Sequence, residues 1–438
     1  MFWIFKKNSQ NLPSEALVHV DSDARSIVEK LKADGFESYL VGGCVRDLLL
    51  GQTPKDFDIA TSASPQKVRN LIPRSFIIGR RFRIVVAKRT PRGRQEKQML
   101  FPTPAPKQRL ETEFQITTFR REPETTGDNR NENVFGNSKE DAFRRDFTIN
   151  GLFLDPISGK VVDFVQGLRD IEKRLIRMIG NPLDRFKEDP IRILRALRFA
   201  ARTGFEIEGT CKKALSQTVS QLQLAKPERV REEIFKVIKE GVAGPVFTDF
   251  EHYKIWPMIN PGMESFRRKD ETLYKQLVKL CSAASENWHS GLGTGAILFL
   301  LFYSILESKS EDRNAIVNQV ADHLKVSKAE REELTRISIS LKRLLKNPPF
   351  ETVLAENSRH IQNLSQTFYC LECLARAGIA PWTEVWKKFE HPWLNFIAKS
   401  EVFQQERADA PGRRPSNRRR GRRRHPSHRP NQAPRGDS

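Results

Sequence analysis

Apolar and polar positions divide the chain into a mixed first part and a helical second part. Residues 24–35 repeat apolar side chains at helical spacing and end at a glycine. SYLVGG (residues 38–43) is typical of a short strand that runs into a helix. The segment 56–60 predicts a second strand, and 64–72 opens with Ser-Pro, which predicts the start of a helix.

The rest of the first part combines strand patterns with two polar loops. Residues 76–87 predict paired strands or one bent strand, and 113–120 alternates between apolar and polar positions as a strand does. The segment 89–109 is rich in Pro, Lys and Arg, and 122–138 is rich in Asn, Gly and Thr, so both predict flexible loops. Together these segments predict a mixed α/β unit.

After residue 180 the pattern becomes helical. Residues 192–204 form a basic amphipathic pattern that Gly204 closes, and 226–241 look similar. The apolar run from Gly295 to Leu306 is shorter than the roughly 20 residues that a bilayer span needs. We therefore predict a buried helix there and no membrane partner.

Charge and cysteine usage narrow the class of protein. The net charge is +21; residues 411–438 hold ten arginines and one aspartate, so the rest of the chain carries +12. A basic folded part with a basic tail predicts a polyanionic partner. Five scattered cysteines, an odd number, argue against a disulfide framework and favour a reducing cytoplasm.

The strongest chemical signal is a Gly-Gly turn followed by an Asp-Phe-Asp segment. Gly42 and Gly43 end a predicted strand, so backbone N–H groups can approach a phosphate there, and Arg46 can add a charged donor. Asp56 and Asp58 are two positions apart in a predicted strand and would point to the same side. Two adjacent carboxylates suit a Mg²⁺ ion, although such a pair by itself is usually a solvated strand face.

Two further motifs carry arginines beside acids. In RRDFTIN (residues 144–150), Arg145 suits phosphate oxygens, and Asp146 either completes a carboxylate cluster or orients an arginine. In the second motif, Asp189 precedes a helix whose arginines recur every three residues. An acid and a guanidinium together can bind the edge of a base, although a solvated basic face has the same pattern. These arginines are Arg192, Arg195 and Arg198.

Taken together, the motifs between Ser38 and Phe205 resemble the class II nucleotidyltransferases, which comprise bacterial poly(A) polymerases and CCA-adding enzymes. The resemblance implies an α+β fold with a mixed-sheet nucleotidyltransferase head, an all-helical neck and body, and a disordered basic tail. The predicted divisions are an N-terminal extension at 1–23, a head at 24–178, a neck at 179–245, a body at 246–400 and an Arg-rich tail at 401–438.

The resemblance also implies roles for single residues. Asp56 and Asp58 are expected to bind Mg²⁺ or Mn²⁺ and to catalyse transfer from ATP, and in the polymerase branch Asp146 is a third catalytic carboxylate. The expected nucleotide-binding residues are Gly42, Gly43, Arg46, Arg145, Asp189, Arg192, Arg195 and Arg198.

Basic segments favour the poly(A) polymerase branch. Residues 77–84 look like a signature of that branch, and a loose basic tail suits a long RNA that slides. The arginines expected to bind RNA are Arg80, Arg81, Arg413, Arg414, Arg418, Arg419, Arg420, Arg422, Arg423 and Arg424. We predict addition of AMP to RNA 3′ ends; the alternatives are a CCA-adding enzyme and a non-catalytic RNA-binding protein.

One position departs from the family pattern. Gln115 stands where the family usually has an acid, although Glu113 lies two residues earlier on the same strand face. The third acidic ligand is therefore Asp146, Glu113 or absent. The resemblance also suggests RNA-decay or RNA-chaperone proteins as partners, and we expect a monomer by default.

Overall fold

The computed structural model describes residues 11–79, 83–88, 113–121, 134–284, 293–357 and 361–409. The strands are β1 (Ser38–Val41), β2 (Asp58–Thr61), β3 (Ser75–Ile78), β4 (Ile84–Lys88), β5 (Glu113–Thr118), β6 (Arg120–Arg121), β7 (Val134–Phe135), β8 (Leu152–Leu154), β9 (Val161–Asp163), β10 (Leu175–Ile176) and β11 (Glu206–Ile207).

Helices precede, separate and follow these strands. Up to residue 188 they are α1 (Ser14–Leu17), α2 (Ser22–Ala33), α3 (Gly43–Leu49), α4 (Pro65–Leu71), α5 (Ser138–Phe143), α6 (Gly167–Glu172) and α7 (Pro182–Glu188), with a 3-10 turn at Thr148–Asn150. From residue 191 to 283 they are α8 (Ile191–Thr203), α9 (Gly209–Thr218), α10 (Pro227–Lys239), α11 (Ala243–His252), α12 (Trp256–Ile259), α13 (Pro261–Lys269) and α14 (Glu271–Ala283), with a 3-10 turn at Val219–Leu224. The remaining helices are α15 (Thr294–Glu307), α16 (Arg313–His323), α17 (Lys328–Leu344), α18 (Phe350–Glu356), α19 (Ile361–Arg376) and α20 (Trp382–Asp409).

Seven strands of the first part form a mixed sheet in the order β3-β4-β5-β2-β1-β8-β9, and β6 pairs separately with β7. Strands β2 and β5 are parallel, and the other neighbours in this sheet are antiparallel. Alternating side chains give the sheet two buried faces, since Leu40 joins the large core and the adjacent Val41 joins a small core around Phe119 and Phe153. The sequence prediction of an α+β fold is confirmed.

Local sequence signals account for most of the element boundaries. Ser64 caps α4 by accepting from the Lys67 amide, and Gly204 ends α8 at a φ of 67°. The apolar run near Gly295 is the buried helix α15. Residues 76–87 contain two antiparallel strands, β3 and β4, rather than one bent strand.

Three boundaries differ from the sequence prediction. Strand β2 begins at Asp58, so Asp56 precedes it. The stretch predicted as helical from residue 179 contains strand β11, which pairs in parallel with β10. Helix α20 continues to Asp409 and so crosses the predicted tail boundary at residue 400. The predicted loop 89–109 lies outside the described residues, and part of the second, 134–138, is described as strand β7 and the start of α5.

Within the described residues, no helix combines the length and the apolar character that crossing a bilayer demands. The apolar side chains of the helical part instead form a packed interior. Trp382, Trp386 and Trp393, for example, are all buried in the core.

Two glycines at helix starts allow a matched test of this packing. A Cβ on Gly167, the first residue of α6, would lie 2.2 Å from the Thr148 carbonyl oxygen, whereas a Cβ on Gly209, the first residue of α9, would meet nothing within 4 Å. We expect Gly167→Ala to lower the free energy of unfolding by about 1–3 kcal/mol, because the turn at Thr148 must move. Gly209→Ala should leave it unchanged or raise it slightly. Urea denaturation measures both, and equal effects would contradict this account.

Candidate active site

The turn after β1 brings backbone close to an arginine. Gly42 has a φ of 76°, and a Cβ built there would lie 3.1 Å from Nη1 of Arg145. Only glycine combines this left-handed conformation with so close an approach. The residues of α3 follow directly, as the sequence predicts.

Asp56 and Asp58 are held on the same side of the chain by the residue between them. Phe57 is buried in the core, and both aspartates are exposed. The pKa of Asp58 is raised, and the largest cause is desolvation of its carboxylate by the surrounding protein. The negative charge of Asp56 raises this pKa further, whereas the positive charge of Arg145 lowers it. The two carboxylates therefore interact, and a cation between them would relieve their repulsion.

Arg145 is positioned by Asp141 and Asn150 rather than by Asp56 or Asp58. Its Nη2 and Nε atoms donate to Oδ2 of Asp141 at 2.9 and 3.2 Å, and its Nη1 donates to the Asn150 carbonyl oxygen at 3.4 Å. The guanidinium lies 5.2 Å from the ring centroid of Phe153. Arg145 thus presents a fixed positive charge between Gly42 and Asp58, where a phosphate can bind.

Asp146 does not join the two catalytic candidates. Its Oδ1 accepts from the Phe147 amide at 2.7 Å and from Nδ2 of Asn150 at 3.2 Å, and its Oδ2 accepts from Nε of Arg195 at 2.8 Å. Burial works to raise the pKa of Asp146, but Arg195 and these hydrogen bonds outweigh it and lower that pKa. The pairing with Arg195 favours the alternative that Asp146 orients an arginine, and its role as a third catalytic carboxylate stays a prediction.

Three arginines predicted to bind nucleotide lie in ion pairs instead. Arg46 is 2% exposed, and its guanidinium donates to Asp47 and to Oδ1 of Asn150. Arg198 is 4% exposed and pairs with acids of α10. Arg195, as described, is bound to Asp146. Acids compensate these charges inside the protein. The expectation that the three side chains bind the nucleotide stays a prediction.

Asp189 and Arg192 lie on the helical side of the site with partners of their own. Both oxygens of Asp189 accept from Arg229 of α10 at 2.8 Å, in a bidentate pair. Arg192 donates from Nη1 to Oε2 of Glu188 at 2.7 Å and to the Arg185 carbonyl oxygen. No local pattern predicts this role for Arg229, which is distant from Asp189 along the chain and reaches it through the packing of α10.

Gln115 occupies the strand position next to Asp58. The parallel register pairs Ile59 of β2 with Ile116 of β5, so the preceding residues, Asp58 and Gln115, are also neighbours across the two strands. Both are exposed, whereas Ile59 and Ile116 are buried. A neutral amide therefore lies where an acid would add a third carboxylate to this face.

The donor set fits a divalent ion that takes further ligands from its substrate. Among the described residues, no group of three or more His, Cys, Asp or Glu side chains is placed to hold a metal. Two carboxylates, Asp56 and Asp58, fit Mg²⁺ or Mn²⁺, because Mg²⁺ commonly binds one or two carboxylates together with water and substrate phosphates.

The residues predicted to bind RNA cannot be placed. Arg80, Arg81 and the tail arginines from Arg413 to Arg424 all lie outside the described residues. Among the described residues, Asn150 is a contributor that the motif patterns do not predict: it contacts Arg46, Arg145 and Asp146. Its presence in the motif RRDFTIN was the available signal.

The geometry agrees with comparisons to known proteins. Residues 38–177 match a family model described as "Poly A polymerase head domain", and residues 204–267 match one described as "Probable RNA and SrmB- binding site of polymerase A". Poly(A) polymerase I of Haemophilus influenzae is 30% identical over 299 residues, covering 64% of this chain and 61% of that protein. The chain belongs to the class II nucleotidyltransferase family.

Members of both branches of the class II nucleotidyltransferase family are similar to the chain. Poly(A) polymerase I of Salmonella typhi is 35% identical over 56% of this chain and 51% of that protein, and the CCA-adding enzyme of Streptococcus suis is 39% identical over 52% of this chain and 51% of that enzyme. The chain thus spans only 51% to 61% of the length of the two polymerase relatives named here.

A solved structure of this family shares the fold. The Bacillus stearothermophilus CCA-adding enzyme in complex with CTP is 24% identical, with a TM-score of 0.55 over 84% of this chain and 82% of that chain. At this identity the likeness shows the arrangement of head and helical part and nothing finer.

Restoring an acid beside Asp58 tests the carboxylate face. We expect Gln115→Glu to tighten Mn²⁺ binding at least about threefold, because affinity for hard cations rises with the number of charged oxygen ligands. Gln217→Glu adds the same charge on an exposed position of α9 and should leave the affinity unchanged. Isothermal titration calorimetry measures both variants; equal affinities would show that Gln115 does not face the metal-binding carboxylates.

Proposed function

We propose that this chain is a template-independent nucleotidyltransferase that adds AMP from ATP to RNA 3′ ends. The observation that carries the proposal is the convergence of two interacting carboxylates, Asp56 and Asp58, with the Arg145 cation and the Gly42 turn. This set lies within the region that matches the poly(A) polymerase head.

In the proposed mechanism, each group of the candidate active site has its own role. Asp56 and Asp58 would hold Mg²⁺ or Mn²⁺, and the bound ion supplies charge neutralisation for the triphosphate and a lower pKa for the attacking hydroxyl. The backbone at Gly42 and Gly43, together with Arg145, binds phosphate oxygens. The RNA hydroxyl then reacts directly with ATP, and no covalent intermediate forms on the protein.

The reaction is an in-line displacement at the α-phosphorus of ATP. A bond forms between the RNA 3′ oxygen and this phosphorus, and the bond from the phosphorus to the bridging oxygen breaks. Pyrophosphate leaves, and the hydroxyl proton passes to solvent or to one of the two carboxylates. The protein contributes alignment of the reacting atoms and stabilisation of the developing charge.

Base selection falls to the helical side of the site. We propose that Asp189 and Arg192 bind the edge of adenine; Asp189 then exchanges or shares its bidentate partner, Arg229. Asp146 acts as a positioning residue that holds Arg195. The arginines outside the described residues remain proposed contacts for the RNA backbone.

Similarity to two polymerase relatives and the basic tail favour AMP addition. A CCA-adding enzyme is the second candidate. The Streptococcus suis enzyme is 39% identical over 230 residues, a higher identity over a shorter region than the two polymerases, which are 30% and 35% identical. We further propose cytoplasmic action as a monomer on RNA 3′ ends, with RNA-decay or RNA-chaperone proteins as partners.

Removing one carboxylate tests whether the chain is an enzyme or a non-catalytic RNA-binding protein. We expect Asp58→Asn to reduce AMP incorporation by about a thousandfold, because loss of several kcal/mol of charge stabilisation slows the reaction to that extent. RNA affinity and the circular dichroism spectrum should stay unchanged. Asp34→Asn, at the exposed end of α2, is the matched control and should retain full activity. Undiminished incorporation by Asp58→Asn would exclude this catalytic site.

The choice of nucleotide separates the two enzymatic candidates. We expect the wild-type chain to incorporate AMP repeatedly into an unstructured RNA oligonucleotide and to use CTP and UTP poorly. The comparison substrate is a tRNA lacking its CCA end, with ATP, CTP and UTP supplied singly and together. Two CMP additions and one AMP addition to the tRNA, followed by a stop, would favour the CCA-adding enzyme.

A further inference from the structure

Buried and half-buried charges close a ring between the head and the neck helices. Four arginines alternate with four acids, and one asparagine completes the circle. We name this set the ion-pair ring, and its members in order are Arg46, Asp47, Arg202, Glu240, Arg198, Glu233, Arg195, Asp146 and Asn150.

The head contributes one arc of the ring. Nη1 of Arg46 donates to Oδ1 of Asn150 at 2.7 Å, and Nε of Arg46 donates to Oδ1 of Asp47 at 2.9 Å. On its other side, Nδ2 of Asn150 donates to Oδ1 of Asp146 at 3.2 Å. Asn150 thus uses both the oxygen and the nitrogen of its side-chain amide. It links α3, which follows the Gly-Gly turn, to Asp146 of the motif RRDFTIN.

The neck contributes the other arc from α8 and from the α10 segment that ends at Glu240. Nη1 of Arg198 donates to Oε1 of Glu240 at 2.7 Å, and Nε of Arg198 donates to Oε2 of Glu233 at 2.8 Å. Arg202 lies 3.4 Å from the same Glu240 oxygen, and Arg195 lies 3.7 Å from Glu233. These contacts hold the two neck segments together.

Two ion pairs of the ring cross from the neck to the head. Nη2 of Arg202 donates to Oδ2 of Asp47 at 2.9 Å, and Nε of Arg195 donates to Oδ2 of Asp146 at 2.8 Å. Arg195 and Arg202 are about two helical turns apart on α8, and Arg202 lies near its end. Two separated crossings fix both the distance and the direction of α8 relative to the head, which a single crossing would not.

An aromatic side chain fills the space inside the ring. The Phe199 ring centroid lies 4.4 Å from the guanidinium carbon of Arg198, 5.2 Å from that of Arg46 and 5.4 Å from that of Arg195. Phe147 packs against it edge-on at 5.8 Å. Cations favour an aromatic face, and the exclusion of water strengthens the surrounding pairs.

The ring reaches the candidate active site through Asn150. Its carbonyl oxygen accepts from Arg145, and Arg145 lies against Gly42 and Asp58. The neck helix α8 also carries Arg192, a proposed base-binding residue. A displacement of the neck would therefore move the base-binding residues relative to the phosphate-binding side.

We propose that the ion-pair ring sets the spacing between the head and the neck, and that Arg202 and Glu240 are positioning residues for nucleotide selection. The proposal rests on the proposed function for its substrates. The ion-pair partners of Arg202 and Glu240, which are Asp47, Arg198 and each other, all belong to the ring. Their effect on selection therefore passes through the placement of α8, not through contact with the nucleotide.

Neutralising Arg202 tests the proposal. Arg202→Gln and Glu240→Gln should lower the ratio of kcat/KM for ATP to kcat/KM for CTP roughly tenfold, because displacement on the ångström scale removes base contacts made only in the correct pose. Arg202→Lys keeps the charge and should restore most of the ratio. Steady-state kinetics on one RNA oligonucleotide, below the melting temperature of each variant, measure these ratios.

Lys32→Gln is the matched control. Lys32 bridges α2 to Asp155 at 2.7 Å and lies over the Tyr39 ring, and its exposure of 27% is close to the 24% of Arg202. It lies outside the ring, so the ratio should stay within about twofold of wild type even if the melting temperature falls. An unchanged ratio in both Arg202→Gln and Glu240→Gln, with an active wild-type chain, would overturn the proposal.

A second measurement separates the ring from the proposed function. If the wild-type chain incorporates no nucleotide, the proposed function fails, and hydrogen–deuterium exchange then tests the ring alone. Arg202→Gln should speed exchange of the amides in residues 146–151 at least about tenfold, and Lys32→Gln should not. Equal exchange in the two variants would refute the ring as the link between neck and head.

Discussion

The site depends on the pairing of buried charges at the junction of the head and the neck. Arg46, Arg198 and Glu233 have almost no contact with solvent, and a buried charge without a partner is strongly unfavourable. Each one therefore constrains the position of its neighbours. Because the constraint closes on itself through Asn150, the turn that carries Arg145 is fixed by residues of α8 and α10 that are far from it in the sequence.

This arrangement separates two uses of charge. The arginines of the ring are compensated by acids and serve architecture, whereas Arg145 keeps part of its guanidinium near the exposed carboxylates of Asp56 and Asp58. The pKa of Asp58 is raised first by desolvation and further by the negative charge of Asp56, which Arg145 compensates only in part. Uncompensated negative charge next to a held cation is a suitable environment for a metal-bound triphosphate.

Gln115 makes the carboxylate face simpler than the family pattern suggests. With an amide beside Asp58, and with Asp146 turned towards Arg195, Asp56 and Asp58 are the two candidate metal ligands of this face, and no described group brings a third acid such as Glu113 to them. The ion would then depend more on oxygen ligands from the substrate. Assignment to the class II nucleotidyltransferase family is compatible with this difference, since the Gly-Gly turn and the Asp-Phe-Asp segment are both present.

The sequence by itself determined the elements and the chemical type of the site, because these follow from short-range patterns. Each of these signals depends on a few neighbouring residues: the turn at Gly42, the spacing of Asp56 and Asp58, and the end of α8 at Gly204. Only the tertiary structure decided which arginine lies beside the Gly-Gly turn and Asp58. Arg195 and Arg198 are predicted nucleotide-binding residues like Arg145, but their acidic partners, Asp146 and Glu233, come from other elements, and pairing across such distances leaves no periodic trace in the chain.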